Sequence, residues 1–190
     1  MTIKKIALAA VLAITSLTAA AATNVTNNIG LLGAADIGFS AGLSDPSGAE
    51  VNHVLSGGFT DTFTFSYSGS AIVDVWLNTQ VSLGKLATQQ IVFTSASLNG
   101  TALSIDPDFT LGNTRFSAAG LYQAPATGSF TLIVNGFAGL LGIENQAISA
   151  SYSGGFNAMP TAAVPEPETY ALMLGGLAAI GFVARRRKIG

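Results

Sequence analysis

The residue that raises the sharpest chemical question is Asp61. It sits at the centre of Phe59-Thr60-Asp61-Thr62-Phe63, within the stretch GGFTDTFTFSYSGS that starts at Gly57. Phe59, Asp61, Phe63, Phe65 and Tyr67 occupy alternate positions, and Thr60, Thr62, Thr64 and Ser66 occupy the others. This is period two, a half-buried strand with an aromatic face and a hydroxyl face. A carboxylate on a buried face is costly unless donors meet it. The expectation is a structural Asp61, satisfied by backbone amides or by a hydroxyl. The alternative is an outward aromatic face on which Asp61 meets a ligand.

Other candidate chemistry is thinner. His53 is the single histidine, and the chain has no cysteine. A Ser-His-Asp arrangement would have to use His53, which lies in the strand-like segment Val51-Asn52-His53-Val54. No Gly-x-Ser-x-Gly elbow accompanies it. One histidine without cysteine argues against zinc, and disulfides and thiolate nucleophiles are excluded. Asp106-Pro107-Asp108 lacks the regularly spaced oxygens of a dedicated calcium loop and reads as a turn built on Pro107. The acids show no clustering that favours paired-carboxylate glycoside hydrolysis. No catalytic residue, metal or cofactor is therefore expected. Trp76 and Tyr67 read as core or edge aromatics in preference to a sugar platform.

These residues need strands to position them. Ala71 to Leu77 is rich in β-formers and follows Gly69, which suggests a hairpin with the strand before it. Gln90 to Leu98 and Thr101 to Ile105 flank Asn99-Gly100, a hairpin signal because both turn residues accept positive φ. Ser129 to Val134, Ala147 to Tyr152 and Glu50 to Leu55 are further strand candidates. Ile29 to Leu43 is ambiguous, and Gly84 to Thr88 has room for a turn. Short strands at this spacing predict an all-β fold, an antiparallel β-sandwich of jelly-roll or immunoglobulin-like type. The expected β domain spans residues 23–157.

Charge separates this domain from the chain ends. Charged residues make up 9% of the 190-residue chain, against about 25% in an average soluble domain. Between Thr23 and Val164 the bases are Lys85 and Arg115, against eight acids, which leaves −6. No basic patch is present to neutralise phosphates, so nucleic acid is not an expected partner.

The ends read as addresses. Residues 1–22 combine Lys4 and Lys5, the apolar run Ile6 to Leu17, and small Ala20-Ala21-Ala22. That is the three-part order of a secretory signal peptide. At the other end, Val164-Pro165-Glu166-Pro167-Glu168 precedes the uncharged run Tyr170 to Ala184, and Arg185, Arg186, Arg187 and Lys188 follow. The prolines keep the first segment extended and accessible to a protease. The 15-residue run would span about 22 Å as a helix, short for a hydrocarbon core of roughly 30 Å. Snorkelling arginines or local thinning accommodate that mismatch, and the bases hold the tail's end in the cytoplasm. The expected organisation is a linker over 158–168 and a tail over 169–190, a transmembrane helix plus stop and orientation signal.

The order of Pro-Glu-Pro, short apolar helix and arginine cluster resembles the PEP-CTERM sorting tail of Gram-negative bacteria. The resemblance spans Val164 to Lys188. It implies processing by an exosortase, a membrane-embedded cysteine transpeptidase-like enzyme, and a link to exopolysaccharide and biofilm matrix. The string Phe59-x-Asp61-x-Phe63 resembles the group of PEP-CTERM proteins named FxDxF; that likeness brings no activity or ligand. The expected function is an exported, non-catalytic surface or matrix protein. It would be anchored transiently in the inner membrane with its domain outside. A carbohydrate-binding module is the alternative, and a secreted hydrolase is a weaker third.

Overall fold

The structure, a computed structural model, describes residues 24–34, 38–161 and 167–187. The expected signal peptide, Val164, Pro165, Glu166 and Lys188 lie outside the described residues. The strands are β1 (Thr26–Ile29), β2 (Leu32–Ala34), β3 (Gly38–Gly42), β4 (Val51–Leu55) and β5 (Gly57–Ser82), then β6 (Ile91–Leu98), β7 (Thr101–Ala102), β8 (Ser104–Ile105), β9 (Phe109–Leu111), β10 (Thr114–Ala138) and β11 (Ala147–Pro160). A 3-10 turn at Leu83–Lys85 and the single helical turn α1 (Leu86–Gln89) link β5 to β6, and α2 (Pro167–Arg187) follows the sheet. The all-β expectation holds for the domain. Its strands form one curled sheet in the order β2-β3-β11-β5-β10-β6-β7. β1 joins β5 in parallel, β4 joins β11, and β8 and β9 join β10.

The frame is a long ribbon of β5 against β10. It runs from Ala138 opposite Gly57 to Thr114 opposite Ser82. The hairpin expected around Gly69 does not form. Gly69 (φ +148°) pairs with Gly128 (φ +90°), and the register shifts between Ser129 and Phe130. Two glycines at one level, beside a bulge, let both strands bend sharply without ending. The segments on either side of Gly69 therefore face different neighbours: Thr62 to Phe65 pair with β1, and Ala71 to Asn78 pair with β11.

Side-chain alternation follows the period read from the sequence. Phe59, Asp61, Phe63 and Phe65 are buried, while Thr60 and Ser66 are exposed. Beyond the bend the pattern resumes with Ala71, Val73, Val75 and Leu77 in the core. Phe130, Leu132 and Val134 of β10 and Ala150, Tyr152 and Phe156 of β11 complete it. Phe65 stacks on Phe156 with centroids 4.2 Å apart, which ties β5 to β11 through side chains.

Asn99 (φ 48°) and Gly100 (φ 83°) make the expected tight turn, with Leu98 opposite Thr101. The second arm is shorter than expected. Leu103 turns into the core, and Ile105 then pairs with Ala119 of β10. The segment expected to begin the linker is strand instead. Ala158, Met159 and Pro160 pair with Val73, Ile72 and Ala71, and Ala158 is buried.

Helix α2 forms where the apolar run was expected, but the transmembrane reading needs correction. Among the described residues no helix is long and apolar enough to cross a membrane. The physical reason is the 15-residue length of the uncharged run; the rest of the 21-residue helix carries Glu168 and Arg185 to Arg187. Leu172, Leu174, Leu177 and Ile180 stand exposed along it.

The bend generates a direct test. Backbone at the φ of Gly69 is essentially confined to glycine, so Gly69→Ala should lower stability by about 1–3 kcal/mol. Urea titration of the variant against the wild type measures it.

Candidate functional site

Asp61 lies near the start of β5, opposite Val134 of β10. Its neighbour Phe59 faces Gly136, and a Cβ there would sit 2.5 Å from the Phe59 ring. The missing side chain lets that ring lie against the strand. His53 stacks on Phe59 from β4, with centroids 4.1 Å apart and planes 26° apart. Tyr152 of β11 follows, 6.0 Å from Phe59, and Phe93 of β6 meets Tyr152 edge-on at 5.4 Å. Stacked and edge-on arrangements are the favourable ones for aromatic rings.

The carboxylate is fully buried within this ring cluster. Oδ1 accepts the backbone N–H of Val25 at 2.7 Å. Oδ2 accepts the Tyr152 hydroxyl at 2.7 Å, and His53 Nε2 lies 3.2 Å from the same oxygen. Hydrogen bonds to an ionised acceptor are short and strong, which offsets the cost of burying the charge. The Val25 bond extends the parallel pairing of β1: the Val25 carbonyl accepts from Thr62 N–H, and the Asn24 side chain accepts from Thr60 N–H. The carboxylate thus stands in for a backbone acceptor just before β1 begins.

Asp61 is buried, and both expected kinds of donor, a backbone amide and a hydroxyl, meet it. Sequence reasoning weighed His53 without joining it to Asp61, and it passed over Tyr152 as a polar partner. Each was visible as an alternate-position residue, His53 with Val51 and Tyr152 with Ala150. What was not visible is that three polar groups on separate strands share one interior. His53, Asp61 and Tyr152 are each at most 1% exposed. The arrangement ties β4, β5 and β11 together in the interior.

Burial first, then the Asp61 carboxylate as neighbouring charge and hydrogen-bond acceptor, push the Tyr152 phenol far above its ordinary range. Two other acids, Asp108 and Asp45, are also used structurally. Asp108 accepts from Arg115 and from Ser117, which ties its turn to β10. Asp45 accepts the N–H groups of Ser47 and Ala49, and Ser47 chiefly lowers its pKa. Trp76 is neither core nor edge. It is half-buried on the outer face of β5, between β10 and β11. Tyr67 packs partly buried beside Phe130.

At the far end of the chain, Pro167 is the first residue of α2, and Arg185, Arg186 and Arg187 close it. Residues 163–188 match the family described as the PEP-CTERM protein-sorting motif. The chain carries a PEP-CTERM sorting domain. The match contains the Pro165-Glu166-Pro167 sequence, the apolar run and the basic cluster. The PEP-CTERM motif implies processing by exosortase and sorting to the cell surface. Comparison with curated proteins and with solved structures returns no match.

Two outcomes follow for the Asp61 cluster. Asp61→Asn keeps the size but loses the charge-assisted bonds, so it should cost about 1–3 kcal/mol in urea titration, and Asp61→Ala at least as much. Tyr152 is protonated in the folded chain well above the pH at which an unfolded tyrosine ionises, about 10. Its contribution is complete below that pH and is lost as pH rises further, because only the unfolded chain releases the proton. Tyr152→Phe should therefore flatten the fall in stability above pH about 10, read from urea midpoints across that range.

Proposed function

We propose that the chain is an exported, non-catalytic surface or matrix protein of the FxDxF-type PEP-CTERM group, associated with exopolysaccharide or biofilm. The observation that carries this reading is the sorting motif at 163–188, which directly follows an all-β domain. The curled sheet is read as a β-sandwich, with the bent ribbon passing between its two layers. Phe59, Asp61 and Phe63 serve its interior. A hydrolase would need carboxylates that reach a substrate, and the buried Asp61–His53 pair does not offer them.

In this reading the signal peptide directs the chain outward and is removed near Ala22. The sorting tail then holds the exported domain at the membrane until it is processed, with Arg185 to Lys188 as the basic cluster at its end. In the chain Val164-Pro165-Glu166 precedes α2 and Pro167 opens it, and exosortase meets the protein at this motif. The order domain, recognition segment, short helix, basic cluster is what delivery followed by release requires.

The second reading, a carbohydrate-binding module, is favoured by one observation: Tyr122 is 67% exposed on the same outer face as Trp76.

The test is mass spectrometry of the protein from an exosortase-bearing host. The mature chain should begin near residue 23 and end near Pro165-Glu166-Pro167. Replacing Arg185, Arg186, Arg187 and Lys188 with glutamine should impair retention and processing. An exported chain with an intact C-terminus, or unchanged processing of the glutamine variant, overturns the reading.

A further inference from the structure

We propose that Trp76 and Tyr122, laid flat over two glycines on the outer face of the sheet, form a binding platform for a neutral pyranose polysaccharide. The proposal rests on the matrix reading above and names the surface that performs it.

Trp76 sits mid-strand in β5, in register with Gly120 of β10 on one side and Gly155 of β11 on the other. Its neighbours Val75 and Leu77 point into the core, so Trp76 points out. A Cβ on Gly155 would lie 2.2, 2.6 and 2.7 Å from Cζ2, Cη2 and Cε2 of Trp76. Three ring atoms nearly equidistant from that point mean that the ring lies across the glycine. Tyr122 repeats the arrangement on Gly120, with Cε2, Cζ and Oη 2.5, 2.7 and 2.7 Å from the corresponding point. The sheet backbone supports one side of each ring, and the other side faces solvent. The two supporting strands flank β5, so the rings rest about 10 Å apart. That separation suits consecutive units of a chain better than a single sugar.

Polar groups border the rings. Asp74 and Asn78 lie two residues either side of Trp76 and share its face. Asp74 Oδ1 accepts the Gln123 N–H at 2.7 Å, which fixes the carboxylate and leaves Oδ2 to accept from a ligand. Asn78 Oδ1 accepts from Ser153 at 2.6 Å, which leaves its amide donors available. Asn157 pairs with Asp74 across the strands, and both line a groove of about 650 Å³ that continues past the platform toward Phe39 and Met159.

This chemistry fits a pyranose. Its C–H face carries slight positive charge and stacks on the negative face of an aromatic ring. Its peripheral hydroxyls both donate and accept, which suits a carboxylate beside amides. Charge selects among polysaccharides. Asp74 borders the site and the domain carries −6, with Arg115 already paired to Asp108. Uronate or sulfated chains are therefore repelled.

Trp76 is the single tryptophan, so its emission reports the platform directly. The full chain is titrated with soluble galactomannan and β-glucan as neutral probes and with alginate as the anionic probe. Retention is followed in parallel by affinity electrophoresis in gels containing each polymer. A saturable change in emission with a neutral probe, none with alginate, and at least tenfold weaker binding by Tyr122→Ala at an unchanged thermal midpoint is the expected result. Retention with unaltered Trp76 emission, or Tyr122→Ala binding as the wild type does, overturns the platform and leaves the matrix reading standing. No retention by either neutral polymer overturns the platform and the polysaccharide association together, while exosortase sorting is judged separately from the mature termini.

Discussion

One buried negative charge organises the interior. Asp61 has no access to water, so every acceptor position it uses must be met by the protein. The donors come from the segment before β1 and from β11, His53 of β4 lies beside the same oxygen, and none of these is its sheet partner on β10. An ionised group left without them would cost several kcal/mol. The carboxylate therefore specifies which strands must close around the start of β5, something that apolar packing alone does loosely. The rings of Phe59, His53, Tyr152 and Phe93 exclude water from the same point and make each hydrogen bond stronger.

The rest of the domain is arranged around the ribbon that carries this charge. A ribbon as long as β5–β10 cannot stay flat and also enclose a core, because strands twist and long sheets curl. The Gly69–Gly128 level absorbs the bend. It separates a half that holds Asp61 and receives β1 from a half that receives β11 and displays Trp76 outward. The interior charge and the exterior rings thus belong to one continuous strand and remain fixed relative to each other.

Much of this was legible in the residues, for reasons that differ by element. The faces of β5 were readable because alternation of Phe and Asp with Thr leaves no competing period. The Asn99-Gly100 turn was readable because its backbone needs positive φ. The interior role of Asp61 followed from burial cost alone. The continuity of β5 through Gly69 was not readable, since a glycine between strands marks a turn and a bend equally well. The partner β10, which decides between them, lies dozens of residues away. Parallel pairing of β1 and the roles of His53 and Tyr152 depend on the same long-range information. Trp76 was misplaced for a related reason: its glycine neighbours become neighbours only across strands. The sorting motif was legible because its meaning lies in local order, whereas the membrane span read into its apolar run was not borne out.

The bond from Tyr152 to Asp61 also bears on how the chain travels. It joins residues 91 positions apart, and contacts of such separation form slowly because a long loop must close first. An exported chain threads outward from its N-terminal side. Until Tyr152 has emerged, Asp61 lacks its hydroxyl donor and β5 lacks β11. The completed core is thereby deferred to the last stage of passage, when almost the whole domain is already outside. A polypeptide built this way stays loose enough to be threaded and becomes rigid on arrival.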